Sequence, residues 1–169
     1  EPLRFVQVDR VFLDVPGPHP GLPSEPERFL LLASGLAQPP AWAEKPRAYD
    51  HFDLKGDAAA LLGHLGVDSL WVHGYTEPFL DDATSFLISW TYGTIGRGGA
   101  VREEVLRAFD VEPPAYVLEI DIEALEEHLP GRRTYREPAR FPAVKRDLSL
   151  VVPGDVSYGD IEAAVRAAA

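Results

Sequence analysis

Apolar and polar positions alternate from Leu3 to Leu13 (LRFVQVDRVFL): Phe5, Gln7, Asp9 and Val11 fall on one face, Val6, Val8, Arg10 and Phe12 on the other. A period of two sends successive side chains to opposite faces, so this stretch predicts a strand with one more apolar face. Val15 to Pro26 carries Pro16, Pro18, Pro20 and Pro23. Proline lacks the N–H that a ladder needs, which predicts a loop. Glu27 to Leu36 (ERFLLLASGL) predicts a buried strand, and Ala37 to Arg47, with three prolines around Trp42, a second loop.

At His51 the spacing changes to that of a helix. Leu54, Ala58, Leu61, Leu62 and Leu65 recur at three and four, with Asp53 placed to cap the first turn and Gly66 to end the last. Four strands are predicted next: Asp68–His73, Ser85–Trp90, Thr94–Val101 and Ala115–Ile122. The second and third are separated by Thr91-Tyr92-Gly93, a short glycine-containing connection that reads as a hairpin. Arg102–Asp110 predicts a short helix with Val105, Leu106 and Phe109 on one face, and Asp121–His128 another, closed by Pro130-Gly131. Beyond a proline-hinged basic segment, Asp147–Val152 (DLSLVV) reads as a strand and Ser157–Ala169 as a helix. Tight hairpins outnumber long crossovers, so the expected fold class is α+β: a mainly antiparallel sheet flanked by helices.

A length of 169 residues allows one domain with a real core, and at most a fragment of a second. No window approaches the roughly 18 consecutive apolar residues of a membrane helix. No leader pattern is visible, and the chain has no methionine, so it reads as a piece of a longer protein. The absence of cysteine excludes disulfides, thiolate metal sites and cysteine nucleophiles, and is compatible with a cytoplasmic location.

The net charge of −11 argues against a general nucleic-acid binder, because Lys and Arg supply most non-specific affinity for phosphates. The charge is uneven, however. Arg132, Arg133, Arg136, Arg140, Lys145 and Arg146 face only Glu137 over positions 132–146. This local excess reads either as a solvated linker or as a polyanion contact.

Other candidates carry less. Asp81-Asp82 has no ligand-spaced third group, and adjacent residues of an extended chain point apart, so it reads as solvated loop. Gly93–Gly99 (GTIGRGG) lacks the Lys-Ser/Thr ending of a phosphate-binding loop and reads as a bent or bulged strand. His51, His64 and His73 lack the spacing that sets two imidazoles on one helical turn, and no metal site is expected. A free-standing small-molecule enzyme using the Asp81-Asp82 loop or the glycine-rich hairpin is the rival reading.

Phe141 to Val152 (FPAVKRDLSLVV) resembles the opening of the ferredoxin-like, anticodon-binding domain of the bacterial phenylalanyl-tRNA synthetase β-subunit family. FVQVDRVF (Phe5–Phe12), YDHFDLKG (Tyr49–Gly56) and GRGGAVREEVLRAFD (Gly96–Asp110) resemble further stretches of that subunit, in the same order. Departures fall at Asp81-Asp82-Ala83, Arg102-Glu103 and Asp9, where the family carries His-Pro-Gly, His-Pro and Gly. The resemblance implies an inactive, class II synthetase-like module over residues 1–131, a basic linker over 132–146, and the first strand and helix of the anticodon-binding domain over 147–169. It also implies a catalytic α subunit as partner in an α2β2 heterotetramer, tRNA(Phe), and the remainder of the β subunit. ATP and magnesium are implied for the whole enzyme and neither for this segment. Active class II sheets hold the ATP phosphate with an arginine in F-R-x-E; here Phe12 is followed by Leu13. The six basic residues of the linker become candidates for tRNA contact, and no catalytic residue is expected.

Overall fold

A computed structural model describes residues 1–17, 19, 21–42, 45–67, 70–90, 93–126, 129 and 144–168. The chain divides into two compact units, Glu1–Arg133 and Thr134–Ala169.

In the first unit the elements run β1 (Pro2–Arg10), β2 (Leu13–Pro16), β3 (Pro23–Ser24), β4 (Glu27–Gly35), α1 (His51–Leu65), β5 (Leu70–His73), β6 (Phe86–Trp90), β7 (Gly93–Ala100), α2 (Glu103–Ala108), β8 (Ala115–Asp121) and α3 (Ile122–Glu126). Six strands form one sheet in the order β1-β4-β8-β7-β6-β5, every neighbouring pair antiparallel. The expected α+β class holds. The proline-rich stretch departs from the expected loop, because β2 and β3 form a small ribbon with Leu13 opposite Ser24 and Pro16 opposite Pro23. Two-stranded edges tolerate proline, since an outward N–H is not needed there.

Helix α1 begins at His51, where the spacing predicts it, but its cap differs. Asp50, not Asp53, is its cap: Asp50 Oδ1 accepts from the N–H of Phe52 at 2.9 Å and of Asp53 at 3.1 Å. Asp53 Oδ2 returns a bond to the Asp50 N–H at 3.0 Å, which completes a capping box. At the far end Gly66 adopts φ 78°, the left-handed conformation that glycine enters without a Cβ penalty. Between the caps Leu54, Ala58 and Leu62 form a fully buried stripe.

That stripe packs on one face of the sheet, where the register builds continuous apolar rows. Leu31 lies beside Leu118, Leu118 beside Gly98 and Gly98 beside Phe86. The next row runs Phe29, Ile120, Gly96 and Ile88. Glycine at two places leaves room for large neighbours, and β6 and β7 shift register between Ile88 and Ser89, the irregularity expected of this strand. In α2 only Leu106 is buried, whereas Phe109 lies past the helix end and is exposed, contrary to the expected three-residue face. Asp121 Oδ1 caps α3 by accepting from the Ala124 N–H at 3.0 Å.

The second unit contains α4 (Tyr158–Ala168), capped by Ser157, whose Oγ accepts from the Asp160 N–H at 3.2 Å. The strand expected over Asp147–Val152 is not formed: this stretch has no pairing partner among the described residues and its backbone is irregular. Alternating apolar residues favour a strand only when a neighbour supplies the ladder. No residue of α4 is buried. The described residues of this unit thus hold one helix and no strand, and the expected ferredoxin-like βα unit is not formed among them.

Candidate functional site

The sheet face opposite α1 is built from the alternate positions of the same strands. On β4, β7 and β8 these include Arg28, Arg97, Glu119 and Asp121, with Arg28 opposite Asp121 and Arg97 opposite Glu119. Arg28 Nε lies 3.4 Å from Glu119 Oε1, and its Nη1 lies 2.5 Å from Asp121 Oδ2. Arg97 Nη2 donates to Glu119 Oε2 at 3.0 Å, and its Nη1 to Glu77 Oε1 at 2.8 Å. The Tyr75 hydroxyl donates to the other Glu77 oxygen, and the Arg97 guanidinium stands 5.4 Å from the centre of the Phe79 ring.

The result is a connected network in which two guanidinia face three carboxylates. Arg28, Arg97, Glu119 and Asp121 of this network line a cleft of about 340 Å³ together with Leu13, Tyr75, Leu87 and Ile95. The side chains of Arg28 and Glu119 are only 17% and 23% exposed, so their charges interact in a medium that screens less than bulk water. Burial works against the charged form of Arg97, but Glu119 and Glu77 outweigh it and raise its pKa above the ordinary guanidinium value. Both cations are thus ion-paired with carboxylates, and Arg28 Nη1, which is buried, has the ion pair with Asp121 but no well-aligned hydrogen bond.

None of these network residues stood out in the sequence. The available signal was a charge alternating with core positions along an otherwise apolar strand: Arg97 between Gly96 and Gly98, and Glu119 and Asp121 flanking Ile120. The position after Phe12 is occupied by Leu13 at the start of β2, and the nearby Arg10 pairs with Glu27 at 3.5 Å.

Of the six basic residues singled out as tRNA contacts, Arg132, Arg133, Arg136 and Arg140 lie outside the described residues. Lys145 and Arg146 are exposed on irregular backbone. Asp81 and Asp82 serve a turn. Asp81 Oδ1 accepts from the Ala83 N–H at 3.1 Å and from the Thr84 hydroxyl at 3.3 Å, while Asp82 Oδ1 accepts from Arg102 Nη2 at 3.0 Å. Of the histidines, His64 Nδ1 lies 2.9 Å from the Ala60 carbonyl, and His73 Nε2 lies 3.1 Å from Lys55 Nζ. No group of three or more His, Asp or Glu side chains among the described residues is arranged to hold a metal.

The antiparallel sheet, with a helix packed on one face and a polar cleft on the other, is a fold also seen in a solved aminoacyl-tRNA synthetase. The pyrrolysyl-tRNA synthetase of Desulfitobacterium hafniense shares it with a TM-score of 0.53 over 75% of this chain and 41% of that chain, at 15% sequence identity. A likeness at that identity is one of fold.

Residues 1–122 match the family described as the phenylalanyl tRNA synthetase beta chain CLM domain, and the chain belongs to that family. It is 35% identical to a phenylalanine–tRNA ligase β subunit of Salinibacter ruber over 99% of this chain and 21% of the relative. With the corresponding β subunit of Streptococcus pyogenes serotype M1 it shares 28% identity over 98% of this chain and 21% of the relative. The chain spans about one fifth of the length of these relatives.

Proposed function

We propose that this chain is a non-catalytic structural segment from the C-terminal part of a phenylalanine–tRNA ligase β subunit. It supports assembly with a catalytic α subunit in an α2β2 enzyme, and it supports binding of tRNA(Phe) during ATP-dependent aminoacylation in the cytoplasm. The family match and the β-subunit relatives support the assignment to a β subunit. The observation that carries the non-catalytic reading is the closed Arg28–Glu119–Arg97–Glu77 network on the open sheet face. A phosphate approaching that face meets guanidinia already neutralised, and freeing one leaves a half-buried carboxylate unpaired at a cost of several kcal/mol.

The residues present do not fit ATP with its magnesium. Leu13 takes the place of the phosphate-holding arginine, and the carboxylates of the face are bound to Arg28 and Arg97. The activation and transfer steps therefore belong to the α subunit, and the linker's Arg132, Arg133, Arg136, Arg140, Lys145 and Arg146 serve as the route to the tRNA backbone.

Two experiments test the two halves of this reading. In a full-length β subunit co-expressed with its α partner, the paired substitution Arg97→Gln with Glu119→Gln leaves aminoacylation within about threefold, because only stability is touched. A catalytic role for the pair would instead lower kcat by on the order of a hundredfold in an assembled, folded enzyme. Charge reversal at Lys145 and Arg146 is expected to weaken tRNA binding and to reduce the slope of log K against log salt by about one for each phosphate that is no longer neutralised. Unchanged affinity and slope would remove the phosphate role of both residues.

A further inference from the structure

Lys55 sits one residue beyond the buried Leu54 on α1, half-exposed at the flank of the helix. Among the described residues it makes no ion pair with a carboxylate. Its Nζ instead lies 3.1 Å from Nε2 of His73 and 5.2 Å from the centre of the Trp71 ring. Trp71 and His73 are two apart on β5, opposite Ile88 and Phe86, so both stand on the face that α1 covers. Edge-strand register and helix position together bring an amine and an imidazole within hydrogen-bond distance. His51 lies one helical turn before Lys55 and adds a second imidazole on that flank.

An ammonium can only donate, so His73 accepts from it through an unprotonated Nε2. Burial holds the Lys55 amine below the usual lysine range. Burial, joined by the charges of Lys55 and His51, holds His73 below the usual imidazole range, which favours the neutral ring with an open nitrogen lone pair facing Lys55.

We propose that Lys55 and His73 form a nucleophile–base pair, a modification site at which Lys55 Nζ takes an acyl group from carboxylic–phosphoric mixed anhydrides. The nitrogen lone pair attacks the acyl carbon and a C–N bond forms. The C–O bond to the phosphate breaks, and the phosphate leaves with that electron pair. The proton released by the attacking nitrogen passes to His73 Nε2, and no oxidant or reductant takes part. The donor's anionic phosphate approaches a flank whose three titratable groups, His51, Lys55 and His73, are all basic. Exposure of His73 on the edge strand leaves a path for a small donor.

Acetyl phosphate is the probe, applied near pH 7 to the full-length protein that carries this chain. Tryptic-peptide mass spectrometry follows acetylation at Lys45, Lys55 and Lys145, the three lysines of the chain. Lys55 is expected to react about tenfold faster than the exposed Lys45 and Lys145, below the 10²–10⁴ of an enclosed general base. His73→Asn should bring Lys55 to within about twofold of the other two while leaving their rates unchanged. Equal rates in the unsubstituted protein would overturn the proposal, as would an advantage that survives His73→Asn. Should that variant fail to fold, the pH profile of the Lys55 rate decides. A rate that rises with imidazole deprotonation supports the pair, and one that follows only the amine overturns it.

Discussion

The carboxylate of Asp53 is held from two sides, by both terminal nitrogens of Arg47 at 2.6 Å and by the Asp50 N–H at 3.0 Å. The Arg47 hydrogen bond is the largest influence and lowers the Asp53 pKa; partial burial opposes it, and the Asp50 N–H adds to the lowering. A depressed folded-state pKa contributes stability above the unfolded value and loses it as pH falls through the folded value. Asp53→Asn should therefore flatten the acid limb of the urea midpoint measured below about pH 5. Parallel limbs for the two proteins would rule out the linkage. Asp50→Ala removes the cap itself and should cost about 1 kcal/mol, read as a fall in the same midpoint at pH 7. Both acids are visible in Asp50-His51-Phe52-Asp53, and the three-residue spacing is that of a capping box. Periodicity alone selects the wrong member, since Asp53 sits inside the helix while its side chain reaches back to the entrance. Tyr49 sets the opposite pH limit. It is 1% exposed, its hydroxyl donates to Asp57 Oδ2 at 2.8 Å, and Arg4 stacks 5.0 Å from its ring centre. Burial first, then the bond to Asp57, raises its pKa above the ordinary phenol value. The unfolded chain ionises first as pH climbs past about 10, so stability present below that value is lost above it. Tyr49→Phe should lose less stability between about pH 9 and 11 than the unsubstituted chain, measured by thermal melts.

Within β7, composition and packing pull in different directions. Glycine weakens a strand by about 0.5–1 kcal/mol relative to alanine through backbone entropy alone. Yet a Cβ at Gly98 would meet Phe86 Cζ at 2.7 Å and the Val117 carbonyl oxygen at 2.9 Å. Phe86 is fully buried in the row that runs to Leu118 and Leu31, so its ring cannot swing away freely. Crowding outweighs entropy here, and Gly98→Ala should destabilise by about 1–3 kcal/mol in denaturant unfolding. Gly154, with nothing within 4 Å of an added Cβ, is the control and should tolerate alanine with little change. A neutral Gly98→Ala would mean that the Phe86 row is looser than its distances indicate. The existence of β7 and its irregularity were legible in GTIGRGG, because a glycine-rich run without a phosphate-loop ending suits a bulged strand. The purpose of the glycines was not. It depends on Phe86 and Leu118, ten and more residues away, and strand pairing is a relation that one segment does not carry. The same reason accounts for the missed network of Arg28, Arg97, Glu77 and Glu119, whose members come from separate elements. It accounts also for Asp147–Val152, whose alternation was right for a strand and whose partner is absent among the described residues.

At the scale of the whole chain the exposed edge of the sheet is the feature that the core does not explain. β1 is nine residues long, pairs among the described residues on one side only, with β4, and lies at the end of their sheet. Leu3, Phe5, Val6 and Val8 are each about half exposed, and they cover both of its faces. Edge strands in monomeric proteins are guarded by lysine, inward charges, proline within the strand, or brevity. β1 has its one proline at the first position, no lysine, and charges only at Arg4 and the terminal Asp9-Arg10, so the N–H and C=O row from Phe5 to Val8 is open to another strand. Net charge opposes self-pairing: the chain carries −11, and two copies repel over the Debye length. That length is about 30 Å at 0.01 M salt and about 8 Å at 0.15 M, so the apolar contact should win only once salt has shortened it. The isolated chain is therefore expected to be mainly monomeric in dilute buffer and to associate as salt is raised, as read by sedimentation velocity at a fixed protein concentration. Val6→Lys places a charge on an exposed edge position, beside Val8 on the same face and opposite Leu31 on β4. It should restore the monomer at 0.15 M salt with the unfolding midpoint changed by less than about 0.5 kcal/mol, the usual range for surface substitutions. Association that weakens with salt, or that persists in the Val6→Lys variant, would locate the contact elsewhere. The first outcome would point to charge pairing with the basic run near Lys145 and Arg146, where a local positive excess faces an otherwise acidic chain.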